Sequence, residues 1–241
     1  MTQPTINTFI QDFKKTSYYN ELYSRPGIIM SYVAGSRLVQ ADSYLSDFDI
    51  VIITDSANPI EDTGIRFRYK DVYTVHFYYH TLDQLLLNTY TMSSRLYAQM
   101  QLTYLDRQLL LYENQDYADL ITRIFKKKAT ISKIAMLKYV KNFTHLLPDV
   151  AETGLLNAKY HHKYLYHLCY CYYHIAKIKQ DTQLLLQAKY SSSGYLTPDG
   201  EKKIVEILKK LKPVVDFYTV EDLVAQFSSI KRYILGESLN G

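Results

Sequence analysis

The chain of 241 residues contains no tryptophan and only two cysteines. The scarcity of cysteine and an N-terminus unlike a secretion signal indicate a reducing, cytoplasmic setting. No apolar run is long enough to span a bilayer, which argues against a membrane protein. The net charge of +4 permits an anionic ligand, but it is too small for the dense basic surface of a strong nucleic-acid binder. Tyrosine occurs 25 times, and its apolar ring with a polar tip suits half-buried surfaces and clefts.

The order of the predicted elements indicates a small α/β domain followed by an α-helical domain. Helical spacing predicts a helix over residues 4–23, and a second helix follows Thr81, which has the character of an N-cap. Short apolar or β-branched runs between turn signals predict strands over residues 28–35, 46–55 and 71–80, and an edge strand over 107–113. The predicted fold class is therefore α+β, with a sheet domain over residues 1–114 and an α-helical bundle over 115–241.

The stretch GSRLVQADSYLSDFDIVI, residues 35–52, places two aspartates in a predicted strand. Residues two apart on a strand point the same way, so Asp47 and Asp49 share one face while Phe48 and Ile50 pack on the other. Two like charges side by side repel, and a divalent cation removes that conflict. Mg²⁺, or Mn²⁺ in its place, takes one or two carboxylates and fills its other positions with water and phosphate oxygens. The pair therefore predicts a metal site beside a triphosphate.

The Gly-Ser turn before these aspartates fits the same site. Glycine at position 35 lets the backbone approach an anion closely, and exposed N–H groups at such a turn hold phosphate. Ser36 adds a hydroxyl group and Arg37 adds a positive charge. These three residues are the predicted nucleotide-binding turn.

Together these residues resemble the signature of the polymerase β-like nucleotidyltransferase superfamily. Here the signature consists of Ala34-Gly35-Ser36, a spacer over residues 37–46, and Asp47-Phe48-Asp49-Ile50. The Gly-Ser-Arg and Ser-Asp-x-Asp forms are most similar to aminoglycoside and minimal nucleotidyltransferases, and they add Ser46 to the expected nucleotide site. The resemblance implies a mixed sheet and Mg²⁺-dependent transfer of a nucleoside monophosphate, expected to be AMP from ATP, to a hydroxyl acceptor with release of pyrophosphate. The expected acceptors are a small molecule, a protein or a tRNA end.

The sequence departs from this family at the third carboxylate, which usually lies on the next strand and faces the first two. The predicted strand over residues 71–80 presents Thr74, His76 and Tyr78 on one face, and none of them is acidic. Three alternatives stay open. In the first, the general base is His76 or a carboxylate of the helical domain, such as Asp149 or Glu152. In the second, His76 is only a strand residue packed under a helix. In the third, catalysis is lost and the chain is a nucleotide sensor or partner subunit.

In related two-domain transferases the helical domain closes the nucleotide cleft, and this role is expected of residues 115–241. Lys159 and Lys163 lie four residues apart on a predicted helix, where they either meet the triphosphate or form a solvated basic face. The histidines and cysteines of the same helix do not predict a zinc site. Cys169 and Cys171 point in opposite directions on a helix, and His167 and His174 lie roughly 10 Å apart along its axis.

Overall fold

The computed structural model describes residues 4–35, 38, 47–57, 59–60, 67–71, 73–87, 102, 105–143 and 220–237. In chain order, its helices and strands are α1 (Ile6–Phe13), α2 (Ser17–Tyr23), β1 (Ile28–Ala34), β2 (Phe48–Thr54), β3 (Phe67–Tyr69), β4 (Tyr73–Thr81), α3 (Leu82–Leu87), β5 (Leu110–Glu113), α4 (Ala118–Phe143) and α5 (Val220–Leu235). The chain divides into two compact units, one formed by Met1–Ser132 with Phe227–Gly241 and the other by Lys133–Gln226. The domain boundary after residue 114 stays a prediction, and most of the predicted helical bundle lies outside the described residues.

The described strands form one mixed sheet in the order β3-β4-β2-β1-β5. Strands β2 and β4 are parallel, and every other neighbouring pair is antiparallel. The expected mixed sheet is thus confirmed, and β5 lies at its edge as predicted. The short strand β3 was not predicted, because three residues are too few to show an alternating pattern.

The N-terminal region contains two helices where the sequence predicts one. Thr16 interrupts the helical pattern, because its side chain accepts a hydrogen bond from the backbone N–H of Tyr19 at 3.1 Å and so caps the start of α2. Thr5 caps α1 in the same way through the N–H of Thr8. A threonine at an N-cap satisfies a backbone donor that the helix itself leaves unpaired. The apolar spacing continues across the break, which explains why it predicts a single helix.

One face of the sheet is covered by α1 and α2. Phe48, on β2, stacks on Phe9 of α1 with ring centroids 3.9 Å apart, and Phe77 of β4 lies 5.3 Å from the ring of Tyr18. The residues of β2 and β4 that face these helices are buried, and they are Phe48, Ile50, Ile52, Val75 and Phe77. This apolar face matches the predicted alternation along β2. It leaves Asp49 and His76 to project from the opposite face.

Helix α3 begins directly after β4 with a reciprocal cap. The Thr81 hydroxyl accepts a hydrogen bond from the Gln84 N–H at 3.1 Å, and the Gln84 side-chain oxygen accepts one from the Thr81 N–H at 3.0 Å. This arrangement is a capping box, and it confirms the predicted N-cap.

Replacing Thr81 with alanine is expected to lower the free energy of unfolding by about 0.5–2 kcal/mol, because the Gln84 N–H loses its acceptor. Urea denaturation measures the change. Thr81→Ser is the matched control, because it keeps the hydroxyl group and should remain close to the wild type. Equal losses in the two variants would contradict a capping role for the hydroxyl group.

Among the described residues, no helix combines the length and the apolar character needed to cross a membrane.

Candidate functional site

Gly35 ends β1 in a conformation that requires glycine. Its φ of +90° lies in the left-handed region, which residues with a side chain rarely adopt. The residue before it, Ala34, pairs with Asp49 across the sheet. A Cβ atom at position 35 would lie 2.1 Å from an Asp49 carboxylate oxygen and 2.8 Å from its Cγ. Position 35 therefore requires glycine because the Asp49 side chain occupies the space that a Cβ would need.

The two aspartates of the predicted metal site lie at the start of β2. Asp47 immediately precedes the strand, and Asp49 is its second residue. The Asp47 side chain is 44% exposed, whereas the Asp49 side chain is only 17% exposed. The two carboxylates are therefore not equivalent, since Asp49 is enclosed by protein and Asp47 is open to solvent.

His76 lies between these carboxylates. It pairs with Asp49 in the parallel register of β2 and β4. Its Nδ1 is 3.6 Å from an Asp49 oxygen, and its Nε2 is 3.8 Å from an Asp47 oxygen. The imidazole is 37% exposed, so it is partly open to solvent. The structure thus brings Asp47, Asp49 and His76 together on one side of the sheet.

Tyr78 lies next to this group through a ring contact with His76. Its ring meets the His76 ring edge to face, with centroids 6.4 Å apart. Burial raises the pKa of the Tyr78 phenol, and the charge of Asp49, a hydrogen bond to Asp49 and the charge of Asp47 raise it further. The sequence signal was the period of two along β4, which places Tyr78 on the face of His76.

An arginine on the edge strand is also on this face. Arg68 of β3 pairs with Thr74 of β4 in antiparallel register, and directly paired residues project from the same side of a sheet. Its side chain is exposed and has no ion-pair partner among the described residues. Arg68 therefore adds a positive charge to the face that carries the aspartates.

No carboxylate of β4 faces Asp47 and Asp49. Asp71 lies before the strand in a turn, where it and Lys70 have φ values of +56° and +52°. That turn also explains why β4 begins at Tyr73, two residues later than predicted. In the described part of the chain, no group of three or more His, Cys, Asp or Glu side chains is arranged to hold a metal ion. Two adjacent carboxylates, Asp47 and Asp49, still fit Mg²⁺, which takes its remaining ligands from water and phosphate.

The chain is similar in structure to a solved protein, although the sequence comparisons find no match. No protein-family model matches the chain, and no curated protein sequence matches it. A solved structure described as a nucleotidyltransferase-like protein from Exiguobacterium sibiricum 255-15 matches at 16% sequence identity, covering 95% of this chain and 81% of that chain. The TM-score is 0.32, which is too low for this similarity to support an argument about function.

Five of the predicted nucleotide-binding residues lie outside the described residues, namely Ser36, Arg37, Ser46, Lys159 and Lys163. The same is true of Asp149 and Glu152, and of the histidines and cysteines of the predicted long helix. Their roles stay predictions from the sequence. Of the predicted site residues, the structure places Gly35, Asp47, Asp49 and His76, and all four lie in one cluster.

Proposed function

We propose that the chain is a nucleotidyltransferase that moves a nucleoside monophosphate from a nucleoside triphosphate to a hydroxyl acceptor. The observation that supports this proposal is the position of His76 between the carboxylates of Asp47 and Asp49, at 3.8 and 3.6 Å. This cluster lies beside the Gly35 turn, where the sequence signature expects the phosphates. ATP is the expected donor. A small molecule, a protein and a tRNA end remain candidate acceptors.

Asp47 and Asp49 would hold a Mg²⁺ or Mn²⁺ ion. When bound, the ion neutralises charge on the phosphates and orients the in-line attack. Asp49 supplies a fixed oxygen, because Gly35 and His76 limit the positions of its carboxylate. Asp47 is more exposed, so it can adjust to the ion and to the triphosphate. Ser36, Arg37 and Ser46 are the proposed additional phosphate contacts.

His76 is the proposed general base. The neutral imidazole takes the proton of the acceptor hydroxyl while the acceptor oxygen bonds to the α-phosphorus. The bond from the α-phosphorus to the oxygen that bridges to the β-phosphate breaks, and pyrophosphate leaves with that electron pair. Asp47 and Asp49 lie within 4 Å of the imidazole nitrogens and orient the ring. His76 thereby replaces the missing carboxylate on β4.

The direct test follows pyrophosphate release. The purified chain is mixed with each of the four nucleoside triphosphates, with Mg²⁺ or Mn²⁺, and with pooled hydroxyl acceptors. We expect metal-dependent release that requires both a triphosphate and an acceptor. Chelator and the Asp47→Asn/Asp49→Asn double variant are the controls, and both should be inactive. Release that is equal in the wild type and the double variant would contradict the proposed site.

A second candidate function is a nucleotide-binding partner subunit without turnover. The absence of an acidic residue on β4 favours it, since the family uses that carboxylate to deprotonate the attacking hydroxyl. Equilibrium binding of the triphosphate, measured by calorimetry with Mg²⁺, separates the two functions. Tight metal-dependent binding of the triphosphate, with no pyrophosphate released in the presence of any acceptor, would favour the partner subunit.

The base assignment makes a prediction about His76→Ala. Turnover should fall by roughly 10²–10⁴-fold, the range that a general base contributes, with little change in triphosphate affinity. The wild-type rate should fall with falling pH, because only the neutral imidazole accepts a proton, and this acidic limb should be lost in the variant. The pH profile of kcat measures both effects.

His76→Asp tests the same assignment by replacing the imidazole with a carboxylate. It restores a carboxylate opposite Asp49, so it should recover part of the turnover that His76→Ala loses and shift the acidic limb to lower pH. If His76→Ala kept wild-type turnover and lost only thermal stability, His76 would be a packing residue and another group would be the base.

A further inference from the structure

The strands place the parts of the candidate site in a fixed order across the sheet. Arg68 lies on β3, His76 on β4 and Asp49 on β2, and Gly35 follows the end of β1. These four strands are neighbours in that same order. Arg68 and the Gly35 turn therefore lie on opposite sides of the imidazole and the carboxylate.

The alternation along β3 puts Arg68 on the face that carries His76. The residues on either side of it, Phe67 and Tyr69, pack in the apolar core under the helices, whereas Arg68 is exposed. Arg68 pairs with Thr74 in the antiparallel register, and His76 is two residues further along β4. Diagonal neighbours of this kind lie roughly 7–8 Å apart. One small molecule can therefore contact both Arg68 and His76.

The charge of Arg68 is available to a ligand. Arg68 forms no ion pair with the residues that the structure describes. Lys70, two residues later, differs, because its ammonium lies 3.6 Å from a carboxylate oxygen of Asp12 on α1. A guanidinium group is a planar fork of donors that matches a carboxylate or a phosphate. The ligand that fits Arg68 is therefore an anionic group.

The strand order assigns this anionic group to the acceptor. The proposed triphosphate site consists of the Gly35 turn and the metal ligands Asp47 and Asp49, and the proposed base His76 meets the acceptor hydroxyl. In-line attack places the acceptor and the leaving pyrophosphate on opposite sides of the α-phosphorus. With the pyrophosphate towards the Gly35 turn, the acceptor lies over β4 and β3, where Arg68 is.

We infer that the acceptor is a small hydroxyl compound carrying a carboxylate or phosphate group, and that Arg68 binds this anionic group while His76 receives the hydroxyl proton. The inference rests on the proposed function, because the triphosphate site defines which side is left for the acceptor. A nucleic-acid acceptor would need many phosphate contacts, for which the net charge of +4 is small. Arg68 is thus a specificity-determining residue, and it selects against neutral and cationic acceptors.

The first test compares acceptors that share a sugar ring and differ in charge. Glucuronate, glucose-6-phosphate, glucose and glucosamine are each mixed with the full chain, ATP and Mg²⁺, and pyrophosphate release is followed. We expect the highest kcat/KM for an anionic hexose, and the better of the two shows whether the group is a carboxylate or a phosphate. If no hexose reacts, the pooled acceptors are separated by ion exchange into anionic, neutral and cationic fractions. Turnover that is greatest with a neutral or cationic acceptor would overturn the inference.

The second test changes the arginine. Arg68→Gln should raise the KM for the anionic acceptor by about 10–100-fold, the range for a hydrogen bond to a charged group, and leave the KM for ATP unchanged. Arg68→Lys keeps the charge but loses the planar fork, so its KM should lie between the two. Lys70→Gln is the matched control and should keep the wild-type KM. A raised KM for ATP with an unchanged acceptor KM would show that Arg68 holds the donor instead.

A binding measurement separates this inference from the proposed function. Side-chain NMR of ¹⁵N-arginine in the full chain, without nucleotide, is recorded with glucuronate, glucose-6-phosphate and glucose, and Arg68→Gln identifies the Arg68 signal. We expect a saturable shift of that signal with an anionic hexose and none with glucose. Arg232, an exposed arginine of α5, is the internal reference.

The outcomes of this measurement are distinct. A saturable Arg68 shift without turnover of any acceptor would support the anion site and contradict the transferase reaction. Turnover with an Arg68 shift no larger than that of Arg232, and with a wild-type acceptor KM in Arg68→Gln, would overturn the role of Arg68 and leave the transferase reaction standing. If neither turnover nor an Arg68 shift is observed, both proposals are wrong.

Discussion

Asp49→Asn is expected to abolish metal-dependent triphosphate binding and turnover, with Asp47→Asn causing a smaller loss. A neutral amide cannot balance the charge of a divalent cation, and a positioned metal ion is worth several kcal/mol of transition-state stabilisation. Since 1.4 kcal/mol corresponds to a factor of ten, the loss at Asp49 should be at least about 100-fold. Asp49 is the more sensitive position because its carboxylate is enclosed, whereas water can partly replace the exposed carboxylate of Asp47.

Both variants should remain folded. Removing one of two neighbouring negative charges relieves repulsion, so thermal stability should stay close to that of the wild type or rise. Asp55→Asn is the matched control, because Asp55 follows the other end of β2, where it contacts Tyr117 and the N–H of Ala57. It should keep full metal affinity. Wild-type turnover of both Asp47→Asn and Asp49→Asn at saturating Mg²⁺ would refute the metal site.

Gly35→Ala is expected to damage stability and metal binding together. The alanine would adopt a φ of +90°, which costs about 1–3 kcal/mol outside glycine, and its Cβ would collide with the Asp49 carboxylate. Overpacking of this kind costs a further 1–3 kcal/mol or so. We therefore expect the free energy of unfolding to fall by about 2–6 kcal/mol. Mn²⁺ affinity should also fall, because Asp49 must move.

Gly236→Ala isolates the backbone part of that cost. Gly236 also has a positive φ, +76°, but a Cβ there would meet only the Arg123 side chain at 3.8 Å, which is an ordinary contact. Its loss of stability should be smaller, and its Mn²⁺ affinity should not change.

A double-mutant cycle of Gly35→Ala with Asp49→Ala isolates the part of the collision that the carboxylate causes, since the Asp49 Cβ, 2.9 Å from the added Cβ, remains. Removal of the carboxylate should reduce the cost of Gly35→Ala by about 1–3 kcal/mol, the range for overpacking. Urea denaturation measures the free energy of unfolding of the wild type, the two single variants and the double variant. Strict additivity would show that the carboxylate does not set the need for glycine.

Local sequence patterns predict much of the sheet. Strands β1, β2 and β4 follow apolar or alternating runs, and the cap at Thr81 follows from its position before an apolar helical segment. The break at Thr16 was missed because a threonine inside a periodic segment does not by itself show that its hydroxyl will cap a new helix. Strand β3 depends on pairing with β4, which no local pattern encodes.

In the candidate site, too, local patterns predict some features, and others depend on strand pairing. A period of two places Asp47 with Asp49 and His76 with Tyr78, so the sequence predicts which residues share a face. It does not predict that Asp49 lies opposite His76, because that register is set by pairing between β2 and β4, which are distant in the chain. Likewise, the contact between Gly35 and Asp49 requires the pairing of Ala34 with Asp49 across β1 and β2.

The compact unit that carries the site is assembled from two separated parts of the chain. The Arg123 side chain donates a hydrogen bond to the Ile234 carbonyl at 2.7 Å, and Lys231 lies 3.6 Å from an Asp83 oxygen. Ile230 and Ile234 of α5 are buried. On the ribosome, residues 1–132 therefore emerge well before the segment that completes their packing. The surface near Asp83 and Arg123 that α5 covers therefore stays exposed until the C-terminal segment has been synthesised.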